Sequence, residues 1–321
     1  MSDLPSIAFE GSIVKYRKII GGIIVIALIS LTAGCTNAAK EEAATQGSSV
    51  QAPFDASSIS TDETIAALVP TAIRDKGVLA IGSDTTYAPA EFLGGDDGQT
   101  PIGFDVDLAE AIGAVLGLDV EFNTSEFSAI LPALGTKYDL GVSTFGITTE
   151  RMKAVNFVSY FIGGTSWAVE TGNPKKIDLD DLCGKKVGVQ TGTQQEDPDL
   201  VDRSTACIAA GKDAIEVVSL KNLSDVTTRL IAGGLDAMAA GTTSMSYAVS
   251  KSSDQMELLG DAYDVDLGGI AVAKDDLALA DATAQAINKL IEDGIYQKIL
   301  ATWGVSVIGI DNAEVNPTVG I

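Results

Sequence analysis

The sequence contains no histidine, only three cysteines and few basic residues. Its 21 lysines and arginines stand against 44 acidic residues, which gives the 321-residue chain a formal net charge of −23. Nucleic-acid binding needs a basic surface, so this charge excludes nucleic acid as a partner. Without histidine the chain lacks the commonest general base and the commonest zinc ligand, and three cysteines are too few for a cysteine-rich zinc or iron–sulfur site. We therefore predict no metal centre and no cofactor.

Residues 1–34 have the pattern of a signal peptide. Three basic residues at positions 15, 17 and 18 precede an apolar run, Ile19 to Leu31, of about 13 residues. Such a run is too short to span a bilayer and is typical of a signal peptide. It ends in Leu31-Thr-Ala-Gly-Cys35, which resembles a bacterial lipobox with one extra residue between the leucine and the small residues. We predict that Cys35 is lipidated, and the alternative is an ordinary secretory signal.

The other two cysteines are predicted to form a disulfide. Export places Cys183 and Cys207 in an oxidising compartment, where an even pair is expected to be bonded. The bond would close a loop of about 25 residues and contribute roughly 3–4 kcal/mol in the chain-entropy model. The alternative is two buried free thiols. Neither cysteine has a nearby histidine, so a catalytic thiol is not expected.

Strand and helix patterns alternate after a polar segment. Residues 35–61 are rich in Ala, Ser, Thr, Gln and Glu without periodicity, which predicts a flexible tether. The alternation that follows favours an α/β fold with a mostly parallel sheet. Strands are predicted at 78–83, 119–123, 139–145, 165–170, 186–190, 215–220, 235–239 and 269–273. Helices are predicted at 62–75, 104–116, 127–134, 148–155, 178–182, 194–210 and 223–232, with a long amphipathic segment at 277–303.

Paired glycines stand at both edges of the second half of this pattern. They are Gly163-Gly164 and Gly268-Gly269. Each pair alone indicates only a turn, but glycine tolerates large changes in φ and ψ, so together they indicate a two-stranded hinge. A cleft between two α/β units is a common place for a small ligand.

Seven segments in order resemble the family 3 extracellular solute-binding proteins, the polar amino acid receptors of ABC importers. The resemblance covers nearly all of residues 75–305. The segments are GVLAIGSD (77–84), YAPAEF (87–92), GFDVDL (103–108), ITTER (147–151), LCGK (182–185), VGVQTGT (187–193) and DGIYQKILATW (293–303).

The resemblance implies a two-lobed, periplasmic-binding-protein-like (type II) α/β fold. Residues 62–162 and 268–306 would form lobe one, residues 163–267 would form lobe two, and residues 307–321 would form a C-terminal tail. Two hinge strands would cross between the lobes, and closure of the lobes would trap a ligand in the cleft.

The resemblance also implies that Arg151 grips the carboxylate of the ligand. A guanidinium meets a carboxylate through two parallel hydrogen bonds, and enclosure strengthens the pair. Thr144 and Gly146 carry over beside Arg151 by position. The alternative for Arg151 is an ordinary helix residue in a surface salt bridge.

The loop from Gln190 to Gln194 is the second implied contact. It joins a strand to a helix and has the form of an anion-binding turn, with free N–H groups at a helix start. By resemblance this loop closes on the ligand, so Gln190, Thr193 and Gln194 are expected ligand contacts.

Three further ligand contacts are implied in lobe one. Asp84 and Tyr87 match the family's acid and aromatic residue, and Phe127 stands where the family often has a second aromatic wall. Two rings would enclose an apolar or planar stem and would attract a cation. The alternatives are that Phe127 packs in the core at a helix start and that Asp84 caps a turn.

Two positions depart from the family pattern. Ala90 replaces an aromatic residue, which should widen the pocket. Gly241 stands where the family usually has an aspartate that holds the ligand's ammonium. Burial of an ammonium without a partner is costly, so the ligand's amine is held by Asp84 and water, or the ligand lacks a free amine there.

These features predict a lipid-anchored receptor on the outer face of the bacterial cell membrane. It would capture an amino acid, or a relative such as an opine, and dock on an ABC permease. One alternative is a dehydratase-like enzyme with Asp84 or Glu91 as its acid. The other is a ligand-sensing partner of a membrane receptor.

Overall fold

The computed structural model describes residues 53–95 and 97–320. The predicted signal peptide and Cys35 lie outside the described residues. Within them, no helix combines the length and apolar character needed to cross a membrane.

The strands are β1 (Val78–Ser83), β2 (Thr86–Tyr87), β3 (Glu91–Gly94), β4 (Thr100–Ile102), β5 (Asp119–Thr124), β6 (Leu140–Gly146), β7 (Val155–Glu170), β8 (Lys186–Gln190), β9 (Glu216–Leu220), β10 (Ala237–Gly241) and β11 (Met256–Ala273). The helices are α1 (Glu63–Ala66), α2 (Thr71–Lys76), α3 (Phe104–Leu116), α4 (Phe127–Ala133), α5 (Arg151–Ala154), α6 (Val201–Ala209), α7 (Leu223–Ile231), α8 (Thr242–Lys251), α9 (Leu277–Glu292) and α10 (Ile295–Thr302).

One eight-stranded sheet runs through both lobes in the order β5-β1-β6-β11-β7-β10-β8-β9. At each end the strands are parallel, as the alternation of strands and helices predicts. The two central strands, β7 and β11, pair antiparallel with each other along their length, from Val155 opposite Ala273 to Glu170 opposite Met256. Each also pairs antiparallel with its other neighbour in the sheet. These two long strands are the hinge, because each begins in one lobe and ends in the other.

Separate cores hold the two lobes together. In lobe one, α3, α9 and α10 bury their apolar faces on one side of the sheet, around Leu108, Ile112 and Tyr296. A smaller cluster around Phe145 and Phe157 covers the other side. In lobe two, two clusters cover the sheet in the same way. The lobes therefore have independent cores, and β7 and β11 carry the chain between them.

Strong local signals predicted several element bounds correctly. The strand at 78–83, the helix at 104–116 and the strand at 186–190 have the predicted bounds. The helix at 104–116 ends where predicted because Gly117 adopts a left-handed φ of 68°, which closes the last turn. The strand prediction at 165–170 was too short, because β7 begins ten residues earlier, at Val155.

Other predictions were wrong where backbone chemistry or packing interrupts a pattern. Pro70 divides the predicted helix at 62–75 into α1 and α2, because proline lacks the N–H that continues a helix. The predicted amphipathic segment at 277–303 forms two helices, α9 and α10, which Gly294 separates with φ of 70°. Asp197 is extended and kinks the predicted helix at 194–210. Residues 178–182 form turns rather than a helix. The predicted helix at 148–155 is reduced to α5, and no helix was predicted where α8 lies.

The predicted tether and the predicted C-terminal tail are both packed on lobe one where the structure describes them. From the predicted tether, the Phe54 N–H donates to Asp107 at 2.9 Å, and the side chains of Phe54 and Ile59 pack against the core. At the C-terminus, Val315 bridges to Val158 and Ile310 is buried. Residues 54–61 and 307–320 are therefore parts of the folded domain.

Cys183 and Cys207 form a disulfide, which confirms the predicted pairing. The bond joins the turn before β8 to α6 and links residues 24 positions apart. It lies against the core of lobe two, where Cys207 is buried.

We expect removal of this disulfide to lower the free energy of unfolding by about 3 kcal/mol, because the unfolded chain gains loop entropy. Chemical denaturation of the Cys183→Ala/Cys207→Ala variant measures the loss. A reductant should lower the melting temperature of the natural protein and leave that of the double variant unchanged. Equal sensitivity of the two proteins to the reductant would contradict the prediction.

Candidate ligand-binding cleft

A cavity of about 370 Å³ lies between the lobes and is lined by residues of both lobes and of the hinge strands. All of the predicted ligand-binding residues except Asp84 line it. They are Tyr87, Phe127, Thr144, Gly146 and Arg151 from lobe one, and Gln190, Thr193, Gln194 and Gly241 from lobe two. The tertiary structure therefore brings together residues that are up to 154 positions apart in the chain, such as Tyr87 and Gly241.

Arg151 carries a positive charge into this cavity. Its Nη1 donates to the Gly146 carbonyl at 2.9 Å, and its Nη2 donates across the cleft to the Gly192 carbonyl at 3.1 Å. The guanidinium lies 5.6 Å from the Phe127 ring centre. No acidic side chain of the described residues forms a salt bridge with Arg151. Burial lowers the pKa of Arg151 to about 10, so the group stays charged at neutral pH and attracts an anion.

The backbone beside Arg151 is shaped for close approach. Thr144 has a left-handed φ of 43°, and its N–H donates to Asp105 at 3.0 Å. Gly146 faces Gln194 across the cleft, and a Cβ at position 146 would lie 1.9 Å from the Gln194 Oε1. Only glycine therefore allows Gln194 of lobe two to pack against this strand end in the observed arrangement.

The loop after β8 is held partly by its own side chains. The Thr193 hydroxyl donates to the Gln190 carbonyl at 2.7 Å, and the Gly192 N–H donates to the Glu196 carboxylate at 2.6 Å. The Gly192 N–H is thus already bonded within the loop. In contrast, the Gln190 side chain is buried in the cavity wall, and its Oε1 has no hydrogen-bond partner among the described residues.

Asp84 lies behind the cavity wall and is fully bonded within the protein. Its Oδ1 accepts from the N–H and the hydroxyl of Thr86, and its Oδ2 accepts from the Phe127 N–H at 3.1 Å and from the Gln190 Nε2 at 2.7 Å. Burial raises its pKa. This geometry fits the alternative in which Asp84 caps a turn, and it leaves Asp84 without a free oxygen for a ligand.

Tyr87 and Gly241 meet across the cleft. The Tyr87 hydroxyl accepts from the Gly241 N–H at 3.0 Å, and a Cβ at position 241 would lie only 2.7 Å from that hydroxyl. Burial raises the pKa of Tyr87 to about 12, so the hydroxyl keeps its proton. The Tyr87 hydroxyl of lobe one therefore occupies the space beside position 241 of lobe two.

Phe127 has both of the roles considered for it. Its ring lines the cavity, and it also stacks on Phe145 with ring centres 4.7 Å apart and an angle of 26° between the planes. Ala90, by contrast, is fully buried and does not line the cavity, so the expected widening of the pocket is not observed. A Cβ at Gly103 would lie 1.9 Å from the Ala90 carbonyl, which shows how closely these backbones approach.

A buried acidic network supports the cavity wall from behind. Ser143 donates to Glu91 at 2.6 Å, and the Tyr160 hydroxyl donates to Asp105 at 2.5 Å. The Ser143 hydroxyl also accepts the Asp84 N–H. Burial, and then the charge of Asp105, raises the pKa of Glu91 well above its usual range, and burial raises the pKa of Asp105 to about 6. Glu91 does not line the cavity.

The sequence interpretation missed two groups of cavity residues. One is the start of α8, Thr242-Thr-Ser244, although a hydroxyl-rich run after a strand is a helix-start signal. The other is a mostly acidic cluster at the hinge side. It contains Arg203, which forms a salt bridge with Asp199 at 2.6 Å. Asp202, Asp264 and Asp266 also line the cavity there. These residues are far apart in the sequence, so no local signal identifies them as a group.

Two α/β lobes joined by a pair of long strands, with a charged arginine enclosed between them, define a two-lobed binding protein with a type II periplasmic-binding-protein fold. The sequence profile of the bacterial extracellular solute-binding proteins, family 3, matches residues 79–306. The chain belongs to this family. Its similarity to amino-acid-binding proteins indicates that it is an amino-acid solute-binding protein.

Several similar proteins are named as arginine-binding or amino acid-binding proteins. The arginine-binding protein ArgT of Corynebacterium glutamicum is 36% identical over 254 residues, which cover 78% of this chain and 82% of that protein. A solved ancestral arginine-binding protein bound to arginine has a TM-score of 0.63 and 32% identity, and the match covers 71% of this chain and 98% of that one. The ancestral amino acid-binding protein AncCDT-1, a precursor of cyclohexadienyl dehydratase, has a TM-score of 0.63 and 29% identity, with 72% and 97% of the two chains covered.

We expect the buried acidic network to make stability fall as pH rises above about 4.5. The folded state holds protons on Glu91 and Asp105 that the unfolded state releases. Each such proton lowers the free energy of unfolding by up to about 1.4 kcal/mol for every pH unit of increase. Glu91→Gln keeps an acceptor for Ser143 and has no charge to lose, so its free energy of unfolding should fall less between pH 5 and about 8.

Urea denaturation of both proteins across this range measures the difference. Glu121→Gln, which changes an exposed residue on β5, provides the matched control. Parallel pH profiles for the natural protein and Glu91→Gln would contradict the prediction.

Proposed function

We propose that the protein is the lipid-anchored, solute-capturing receptor of an ABC importer. It binds an amino acid or a related small carboxylate by closing its lobes around Arg151. The observation that carries this proposal is the enclosed Arg151 guanidinium, which has no acidic partner among the described residues. A buried charge without a partner is costly, and a ligand carboxylate would balance it through paired hydrogen bonds.

Contacts across the cleft support the lobe-closure mechanism. Three of them join side chains of one lobe to the other: Gln190 Nε2 to Asp84 at 2.7 Å, Arg151 Nη2 to the Gly192 carbonyl at 3.1 Å, and the Gly241 N–H to Tyr87 at 3.0 Å. Each involves a residue of the cavity wall. Ligand binding and closure therefore depend on the same side chains, with β7 and β11 as the hinge.

The cavity favours a ligand whose side chain is cationic. Asp202 and Asp264 are exposed at the hinge-side opening, and neither forms a salt bridge with a described residue. Their negative charge would attract a guanidinium or ammonium. The arginine-binding relatives support the same choice, so we propose a basic amino acid or a derivative of one.

We propose binding without turnover over the enzyme alternative. The two acids considered for dehydratase chemistry, Asp84 and Glu91, do not line the cavity, and each is hydrogen-bonded within lobe one. A general acid must come within hydrogen-bond reach of its substrate. The likeness to a dehydratase precursor concerns a protein that itself binds amino acids.

We expect Arg151→Ala to abolish stabilisation by carboxylate ligands. A thermal-shift panel of arginine, lysine, ornithine, glutamine and simple carboxylates, applied to residues 36–321, detects any ligand that binds the folded state, because such a ligand raises the melting temperature. Loss of the charged pair should weaken binding by about 100-fold or more.

Arg203→Ala is the matched control, because Arg203 lines the same cavity but is already paired with Asp199. It should retain binding of the simple carboxylates. Melting shifts that survive in Arg151→Ala, or that are lost equally in both variants, would refute the role of Arg151.

We expect Cys35→Ser to release the protein from the membrane, because the lipid is attached to the cysteine sulfur and serine has no thiol. Fractionation of cells that express the natural protein and the variant measures this. Equal membrane retention of the two would contradict the proposed anchor.

A further inference from the structure

The chain beyond residue 306, where the match to the family ends, crosses lobe one and is held there by specific contacts. We call residues 310–320 the strap. The Asn288 side chain of α9 makes two hydrogen bonds with the backbone of Ala313, at 2.7 and 3.0 Å. The side chains of Ile310 and Ala313 are buried. The strap is therefore anchored on lobe one at its start.

The middle of the strap pairs with β7 inside lobe one. The Ser159 N–H donates to the Glu314 carbonyl at 3.0 Å, and the Asn316 N–H donates to the Phe157 carbonyl at 2.8 Å. The Asn316 side chain adds a further bond, since its Oδ1 accepts the Phe157 N–H at 3.0 Å. These backbone contacts fix the strap in register with the lobe-one half of the hinge strand.

The last described residues of the strap reach β11 at the hinge. The Val319 side chain packs against the same smaller lobe-one cluster as Leu267. The Gly320 N–H donates to the Asp266 Oδ2 at 2.6 Å, and the Asp266 Oδ1 accepts the Leu267 N–H at 2.8 Å. Asp266 lines the cavity. Both oxygens of this carboxylate are therefore held by backbone N–H groups, and one of the two donors belongs to the strap.

Asp266 lies where β11 leaves lobe one. On its lobe-one side, the Leu267 carbonyl accepts the Ile147 N–H at 3.0 Å, and β11 then pairs with β6. On its other side, the register of β11 with β7 shifts between Tyr263 and Asp266, and Asp264 adopts a left-handed φ of 49°. A register shift interrupts the ladder of hydrogen bonds, so the two hinge strands are least tightly paired there.

We propose that the strap is a brace for the hinge: it holds β11 against lobe one as far as Asp266 and thereby stabilises the closed arrangement of the lobes. The brace confines bending of β11 to the irregular residues before Asp266. Without the Gly320 bond, β11 can depart from lobe one earlier, which adds conformations to the open state and raises its entropy.

The brace has a consequence for ligand binding. Closure and ligand binding are linked, so a segment that favours the closed lobes raises ligand affinity without touching the ligand. This consequence rests on the proposed function, whereas the effect on the lobes does not.

Position 320 allows the hinge contact to be removed without a change in the cavity wall. Gly320→Pro deletes the N–H that reaches Asp266 and leaves the Asp266 charge in place. Gly320→Ala is the matched control, because it keeps the N–H and its Cβ would lie 3.4 Å from the Asp266 Oδ2, an ordinary contact. A chain that ends at Pro317 also lacks the hinge contact but retains the pairing of Glu314 and Asn316 with β7.

Single-molecule energy transfer measures the fraction of closed molecules. The dyes are attached to Asp119→Cys on β5 and Ser224→Cys on α7, two exposed positions on different lobes of residues 36–321. In the free protein we expect the ratio of closed to open molecules to fall about fivefold in Gly320→Pro and in the shortened chain, which is the size expected for one hydrogen bond. Gly320→Ala should match the natural protein.

Ligand affinity, measured by isothermal titration calorimetry, is the second readout. L-arginine and L-glutamine should both bind about fivefold more weakly to Gly320→Pro, because the brace acts on closure and not on the ligand. A loss confined to arginine would show that the charge of Asp266 acts on the ligand directly, and would overturn the brace.

An unchanged closed fraction in Gly320→Pro and in the shortened chain, both verified as folded by circular dichroism, would also overturn the inference. So would an equal loss in Gly320→Ala, or a free protein whose lobes are open in every chain. Absence of Arg151-dependent carboxylate binding would refute the proposed function alone, because the closed fraction of the free protein tests the brace without a ligand.

Discussion

The antiparallel pairing of β7 with β11 is the constraint on which the rest of the structure depends. Along their length these strands join the two lobes into one sheet, and their middle residues form the back of the cavity. Two adjacent crossings restrict the lobes to movement about one line, so residues on facing walls meet in a fixed register. This is why Arg151 of lobe one reaches the Gly192 carbonyl of lobe two, and why Tyr87 reaches Gly241. Paired glycines occur in both strands, at 163–164 and 268–269, where the backbone must change direction between lobes.

The lobe-one wall of the cavity is positioned by a buried polar network rather than by apolar packing alone. Ser143 and Thr144 stand at the end of β6, and Glu91, Asp84 and Asp105 hold them from behind. Such a network restricts the wall to one arrangement, because any displacement would leave buried acids unbonded. The network also leaves the charge of Arg151 unopposed in a chain with many carboxylates. Asp84, Glu91 and Asp105 of lobe one are hydrogen-bonded within the protein. The exposed acids Asp202 and Asp264 stand at the hinge-side opening of the cavity.

The cavity therefore has distinct chemical regions. Arg151 provides a positive centre, with the Phe127 and Phe145 rings 5.6 and 5.9 Å from its guanidinium. Acids stand at the hinge-side opening, and the hydroxyl-rich start of α8 lines the lobe-two end. The start of α8 also meets lobe one, because the Gly241 N–H donates to the Tyr87 hydroxyl at 3.0 Å. Membership of the family establishes the fold and the general activity, whereas the ligand depends on these few residues.

Much of the fold and part of the candidate site followed from the sequence. The periodic patterns predicted β1, α3 and β8 with their bounds, because short-range spacing and a terminal glycine determine such elements locally. All of the predicted ligand contacts except Asp84 line the cavity, but the start of α8 and the acidic residues at the hinge side were not predicted. The sequence interpretation did not predict the continuity of β7 or the existence of α8, because these depend on competition between local propensity and packing. Nor did it indicate that Asp84 turns away from the cavity. The break at Pro70 was missed although the missing N–H of proline is a local signal.

The sequence by itself thus determined the class of fold, the family and the presence of one unusual arginine, since these reside in local patterns and in motifs that can be read in order. Only the tertiary structure decided which side chains share the cavity, which acids are already bonded, and that Tyr87 occupies the space beside Gly241. Those facts depend on distances between residues up to 154 positions apart, which are fixed by the closure of two lobes over a common hinge.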